Sequence, residues 1–197
     1  MRRYAIGSLV LISAALTACG CYGANKLSIG DAAPQWTGIV GTDGKSHSLA
    51  DAKDAKAVVV VFTCNHCPVA TAYQQRLIAL QNDYKDKGVQ VIAICVSKGS
   101  ADDLDAMKKR AESAGFNFPY LYDPTQQVGR DYGATCTPHA FVLDKDRKLA
   151  YVGAIDDDQH ADKVQKQYIR AALDALLDGK SPETPVTRQV GCGIRYE

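Results

Sequence analysis

The segment Phe62-Thr63-Cys64-Asn65-His66-Cys67-Pro68 carries the strongest chemical signal in the chain, two cysteines separated by two residues. Such a pair closes a small disulfide ring or shares a metal ion. An apolar run precedes it and Pro68 opens a helical pattern after it, so the pair sits where a strand hands over to a helix. A helix N-terminus offers unpaired N–H groups and a partial positive charge, which favour the thiolate, the species that attacks. Structural zinc needs about four ligands, commonly from a second C-x-x-C or an H-x-x-x-H pair. The sequence has neither, and a C-x-x-C at a strand–helix junction inside a βαβ pattern reads as a redox pair. Asn65 and His66 lie between the sulfurs and tune them. A partly charged His66 imidazole stabilises a neighbouring thiolate and makes the pair more oxidising; the alternative is a solvated loop histidine. Cys64, Cys67 and His66, joined by His139, also form a candidate soft-metal set, since copper(I) favours thiolates.

Five further cysteines have to be sorted. Cys95 lies in the apolar run from Val89 to Val96 and is expected to be a small, inert core residue. Cys19 and Cys21 belong to the N-terminal junction. Cys136, two residues before Pro138, is either a third redox thiol or packing. Cys192, in the tail, is a second resolving thiol, an intermolecular link or a structural partner of Cys136. The acidic run Asp156-Asp157-Asp158 is expected to be a solvated turn.

The elements that must position these residues are legible from periodicity. Ala57 to Phe62 is continuously apolar and β-branched, as a central parallel strand should be. A helix is expected from Pro68 to about Lys87, with Tyr73, Leu77, Leu80 and Tyr84 on one face and Pro68 in its first turn, where a missing N–H costs nothing. Strand 89–96 follows Gly88. A helix from about Ala101 to Ala114 is expected, with Ser100 as N-cap and Asp102 and Asp103 in its first turn. Then come a strand at Tyr120–Tyr122, a short helix from Pro124 to Tyr132, a hairpin of 140–143 and 149–152, and a final helix from Ala161 to Leu177. Gly41-Thr42-Asp43-Gly44-Lys45 marks an earlier turn between two short strands. The order β-α-β-α-β-α-β-β-α predicts an α/β protein, a central mixed sheet with helices on both faces.

The chain has 197 residues, 46% hydrophobic and 23% charged, with a formal net charge of +1. This is the balance of one globular domain. No basic patch is present, which argues against nucleic acid as a partner. Arg2 and Arg3 followed by apolar Ile6–Leu16 read as a signal peptide over residues 1–18, too short to span a bilayer comfortably. The junction Leu16-Thr17-Ala18-Cys19-Gly20 resembles the lipobox of bacterial lipoprotein signals. That resemblance implies lipidation of Cys19 and anchoring on the periplasmic side of the envelope, with Gly20 not retaining the protein at the inner membrane. Plain secretion to the periplasm is the alternative. Export permits disulfides, and any membrane contact would run through the lipid anchor. The expected organisation is a tether at 19–28, a domain at 29–180, and a tail at 181–197, carried away from the last helix by Ser181-Pro182-Glu183-Thr184-Pro185.

Taken together, these motifs resemble the thioredoxin-like redoxin superfamily, the group of alkyl hydroperoxide reductase/thiol-specific antioxidant proteins and membrane-linked thiol–disulfide oxidoreductases. Gly30-Asp31-Ala32-Ala33-Pro34-Gln35-Trp36, Gly44-Lys45 and Ser48-Leu49 match its entry strands, and Thr137-Pro138 before Ala140–Asp144 matches its cis-proline loop. Asn65-His66-Cys67-Pro68 with the tail Val190–Tyr196 resembles a bacterial subgroup. The resemblance implies a thioredoxin-like fold, catalysis by Cys64 and Cys67, and docking of substrate on Thr137 and Pro138. Its partners would be protein or small-molecule disulfides and thiols, together with an electron donor. No cofactor is implied.

Which sulfur attacks first depends on the comparison chosen. The spacing from Phe62 and the N-cap position favour Cys67, with Cys64 resolving; the usual C-x-x-C order favours Cys64. Peroxiredoxins place a proline seven residues and a threonine three residues before their cysteine, where this chain has Val60 and Cys64. Their peroxide-site arginine would fall on Pro138. Thiol peroxidase activity is therefore the alternative to disulfide exchange. Copper-delivery proteins of the same fold use a cysteine pair with three intervening residues, which makes a copper(I) metallochaperone a lesser alternative.

Overall fold

The computed structural model describes residues 27–197. The expected signal peptide, Cys19, Cys21 and most of the tether lie outside the described residues.

The chain enters through a short antiparallel hairpin, β1 (Ile39–Gly41) and β2 (Ser46–His47). The central βαβ unit follows: β3 (Ala57–Phe62), α1 (Pro68–Tyr84) and β4 (Val89–Cys95). Next come α2 (Leu104–Ala114), β5 (Tyr120–Tyr122) and α3 (Gln127–Tyr132). A two-residue strand β6 (Cys136–Thr137) leads into the hairpin β7 (His139–Leu143) and β8 (Leu149–Gly153). The helix α4 (Tyr168–Leu177) and the tail strand β9 (Cys192–Gly193) complete the chain. The main sheet has seven strands in the order β2-β1-β5-β4-β3-β7-β8, and β6 pairs with β9 apart from it. β3, β4 and β5 run parallel, whereas β7 is antiparallel to β3, so the sheet is mixed.

β3 lies inside the sheet and every residue from Ala57 to Phe62 is fully buried. Its alternation feeds two cores. Val59 and Val61 pack with α1 and α4, while Val58, Val60 and Phe62 pack with Trp36 and the α3 residues Val128 and Tyr132. Each such valine contributes roughly 1.5–3 kcal/mol by leaving water, which holds the strand end at Phe62 in register. The next residues are the candidate site.

Three helix starts differ from expectation, each because a carboxylate captures the backbone. α2 begins at Leu104, capped by Asp103, which accepts from the Ala106 N–H at 2.8 Å; Ser100 is not the cap. α3 begins at Gln127 because Asp123 accepts from the Thr125 and Val128 N–H groups. The final helix is interrupted: Ala161–Lys163 form a 3-10 turn and α4 starts at Tyr168. Asp157 accepts from the amides of Gln165 and Lys166 at 2.9 and 3.0 Å, so these donors are tied to the preceding loop. The acidic run is also not wholly solvated. Asp156 is buried, with the Arg76 guanidinium 2.5 Å away.

Gly88 follows the 3-10 turn that ends α1, with φ of 87°, a left-handed conformation that glycine adopts without penalty. The tail does leave α4, then returns. Val186 bridges Val152 on β8, and β9 pairs with β6.

Candidate active site

Phe62 ends β3, and the chain reaches α1 through residues 63–67. Cys67 is the N-cap of α1 and Pro68 its first residue; the Ala70 N–H donates to Cys67 Sγ at 3.4 Å. The cap position and the proline follow from the same physics: the first helical amides need an acceptor, and proline has no amide to leave unpaired. A sulfur there receives both an N–H and the positive end of the helix.

The Thr137–Pro138 peptide bond is cis, and it lies over both sulfurs. Cys64 Sγ is 3.1 Å from Thr137 Oγ1, and Cys67 Sγ is 3.1 Å from the Thr137 carbonyl oxygen. The sequence-derived pair and the Thr137-Pro138 loop are thus brought together, although Thr137 lies 73 and 70 positions from the two cysteines.

The bond between sulfurs differs from the expected one. Cys67 is joined to Cys192, across a sequence separation of 125, while Cys64 is a free, buried thiol. A Cys64–Cys67 ring is therefore not the disulfide of this state, and Cys192 is bridged to Cys67 rather than to Cys136. Tertiary structure decides this, because β9 lies antiparallel to β6 with Cys192 opposite Thr137. Cys136 is free and buried, its Sγ 3.7 Å from the Pro138 carbonyl oxygen. Cys95 is fully buried, as expected, and burial pushes its thiol up to about 12.

Burial also raises the Cys64 thiol. The Thr137 hydroxyl and the Cys67 backbone favour its thiolate, and the charge of Asp102 opposes it. Asp102 is the residue that sequence reasoning missed. Instead of lying in the first turn of α2, its 2% exposed carboxylate turns under the cysteine loop. Oδ1 accepts from the Asn65 N–H at 2.6 Å and the His66 N–H at 3.3 Å, and Oδ2 is hydrogen-bonded to His66 Nδ1. Asn65 Nδ2 donates to the Ala101 carbonyl at 2.9 Å, and the Tyr120 hydroxyl donates to Asn65 Oδ1 at 3.1 Å. One signal was available: two consecutive aspartates stand where one suffices as a cap.

His66 is half exposed, paired with Asp102 rather than standing free in solvent. Cys64, His66 and Asp102 bring one ligand atom each within 4.8 Å of one another. His139 does not join them. It is buried in β7, its ring packs on Phe141, and its Nδ1 accepts from the Thr135 N–H at 3.3 Å.

The thiol–disulfide oxidoreductase ResA of Bacillus anthracis is 32% identical over 125 residues, covering 63% of this chain and 68% of its own. An uncharacterized conserved protein of Geobacillus kaustophilus superposes with a TM-score of 0.82 at 38% identity, covering 88% of this chain and 94% of its own. The thioredoxin domain of a thiol–disulfide oxidoreductase from Bacteroides vulgatus gives a TM-score of 0.56 at 25% identity, covering 64% and 89%. The fold is thioredoxin-like, with its mixed sheet between helices. The Redoxin family model matches residues 28–168, and with that match the chain belongs to the Redoxin family.

Proposed function

We propose that the protein is an exported thiol–disulfide oxidoreductase in which Cys67 is the attacking sulfur. The observation that carries the reading is the Cys67 sulfur itself, capping α1, lying against Thr137 and already engaged in a disulfide with Cys192. A reduced Cys67 at this helix end is stabilised as the thiolate, and as a leaving group it departs readily for the same reason. In the cycle, the Cys67 thiolate attacks a substrate disulfide, one substrate sulfur leaves as a thiolate, and a second protein thiol resolves the mixed disulfide. Cys192 fills that role in the bond observed. Cys64, the C-x-x-C partner, shares Thr137 with Cys67 and supplies a further resolving thiol. Asn65, His66 and Pro68 hold the loop, and an external dithiol donor resets the cycle. Similarity to ResA supports the exchange reading.

The N-terminal sequence supports export and lipidation of Cys19. Labelling with a radioactive fatty acid that disappears in Cys19→Ser would support the anchor; equal labelling would rule it out.

The exchange test compares the reduced domain with hydrogen peroxide and with a protein disulfide. Fast reaction with the disulfide, and peroxide consumption no faster than by free cysteine, is expected. The reverse order makes the protein a peroxidase. The grouping of Cys64, His66 and Asp102 supports a second reading, a metal site of one thiolate, one imidazole and one carboxylate, in which reduction of the Cys67–Cys192 bond would add the second sulfur that copper(I) favours. Stoichiometric copper(I) binding lost in Cys64→Ser would establish it.

A further inference from the structure

We infer that the tail around Cys192 occupies the seat of a polypeptide substrate, and that this seat selects a cysteine preceded by glycine. The inference rests on the exchange reading of Cys67 above.

Cys192 and Gly193 form an antiparallel ladder with Thr137 and Cys136, Cys192 facing Thr137 and Gly193 facing Cys136. An extended segment added to an exposed backbone edge is a recurrent way of binding peptides, with the backbone giving affinity and local space giving selectivity. Here the added segment also carries its cysteine into a covalent bond with Cys67. That is the arrangement a substrate cysteine takes in a mixed disulfide, made within one chain.

The two glycines around Cys192 meet different surroundings. A Cβ on Gly191 would lie 2.1 Å from the Thr137 carbonyl oxygen, 2.6 Å from its carbon and 3.1 Å from Pro138 N. These are backbone atoms of the loop that carries the site, so they cannot turn aside as a side chain would. A Cβ on Gly193 meets nothing within 4 Å. The seat therefore excludes a side chain before the cysteine and accepts one after it. Before Gly191 the space opens again. Val190 is 63% exposed, at the edge of a groove of about 500 Å³ bordered by Pro138, Val69 and Tyr73.

The tail is held on both sides of this seat. Thr187 bonds to Tyr151 and to the Ala154 N–H, and Glu197 bonds through its N–H to Gln126. Cys192 itself is only partly buried, whereas Cys67 is fully buried. When the bond is reduced, residues 188–193 can leave the edge while their flanks stay docked. The Cys67 thiolate then attacks a substrate disulfide: a Cys67–substrate bond forms, the substrate S–S bond breaks and its distal sulfur leaves as a thiolate. Cys192 thiolate next attacks Cys67, restoring the observed bond and releasing the seated substrate cysteine as a thiolate. The substrate gains two electrons and the Cys67/Cys192 dithiol loses them; an external protein dithiol returns them.

The test uses the reduced full chain carrying Cys192→Ser. Its reactants are the symmetrical disulfides of three synthetic peptides: the sequence of residues 188–195, the same with alanine at the Gly191 position, and the same with alanine at the Gly193 position. Formation of the Cys67 mixed disulfide is followed by intact mass. The first and third peptides are expected to react within about twofold of each other and the second about tenfold more slowly, since forcing a side chain onto fixed backbone is penalised. Equal rates for all three overturn the selectivity. Failure of every peptide, with a small aromatic disulfide still reacting at Cys67, overturns the seat and leaves the exchange reading standing. Failure of the small disulfide as well overturns the exchange reading itself. In the otherwise native chain, Gly191→Ala should speed opening of the Cys67–Cys192 bond by dithiothreitol, and Gly193→Ala should not. Equal opening rates also count against the seat.

Discussion

The two segments that contribute sulfur to the disulfide are built in opposite ways. The loop at 63–67 is buried between β3 and α1 except at half-exposed His66; its Asn65 and His66 amides are tied to the Asp102 carboxylate and its Asn65 side chain to the Ala101 carbonyl. The tail at 188–193 is largely exposed, lies on a two-residue ladder, and is fixed at Cys192 by one covalent bond. Exchange chemistry makes use of that difference. One sulfur has to be held where its thiolate is stabilised, and the other has to depart and return so that a substrate can take its place.

Replacing the fixed sulfur should have the largest effect. Cys67→Ser is expected to lower the rate of disulfide exchange about a thousandfold or more, since a hydroxyl there is not ionised at neutral pH. A loss under tenfold, with Cys64→Ser severe instead, would move the attacking role to Cys64. Removing the departing sulfur acts mainly on stability. Cys192→Ser opens a loop with a separation of 125, for which the chain-entropy model gives an upper figure of about 4–5 kcal/mol. For a domain of this size that is about 10 °C in Tm under oxidising conditions. Under dithiothreitol the two proteins should melt together.

The loop can be loosened without touching a cysteine. Asp102→Asn replaces a buried acceptor of three hydrogen bonds with a group that presents one carbonyl and unwanted donors. A cost of about 2–3 kcal/mol is expected. Loss of the negative charge should also lower the titration point of Cys64 in an alkylation–pH profile, because Asp102 raises it, second to burial in importance among the raising causes. An unchanged profile would mean that Asp102 does not sense the thiol.

The smallest effect concerns alkaline pH. Burial raises Cys64, Cys95 and Cys136 above the ordinary thiol value of 9.0, Cys95 to about 12. The folded chain keeps these protons where the unfolded chain releases them. Stability present below pH 9 is therefore lost as pH rises through the raised values: fully buried Cys95 accounts for up to about 1.4 kcal/mol per pH unit between 9.0 and about 12, and solvent screening leaves less for Cys64 and Cys136. Denaturant unfolding at pH 8 and pH 10 checks the sign; a gain at pH 10 would contradict the buried environments.

Much of the fixed segment was legible in the sequence. The apolar run at 57–62 read as a central strand and Pro68 as the opening residue of a helix, which put Cys67 at the cap. Thr137 and Pro138 were legible through resemblance to the Redoxin superfamily. The order of strands and helices followed from the change of period between them. Asp102 was read wrongly because a short-range rule, the acidic first turn of a helix, competed with contacts across 36 and 37 positions. Residues 161–167 were read wrongly for a similar reason, since Asp157 captures amides that periodicity assigned to a helix.

The partner of Cys67 belonged to neither kind of rule. By itself the sequence determined that a reactive sulfur would stand at the start of α1, because strand burial, proline and helix capping act over a few residues. It put Cys64 first as the partner of that sulfur and offered Cys136 and Cys192 as further candidates, an order the observed Cys67–Cys192 bond overturns. Only the tertiary structure chose Cys192, because the choice depends on the tail crossing back to Thr137 and approaching its backbone too closely for any residue but Gly191. Spacing carries local physics, and the meeting of two segments 125 positions apart depends on the shape of everything folded between them.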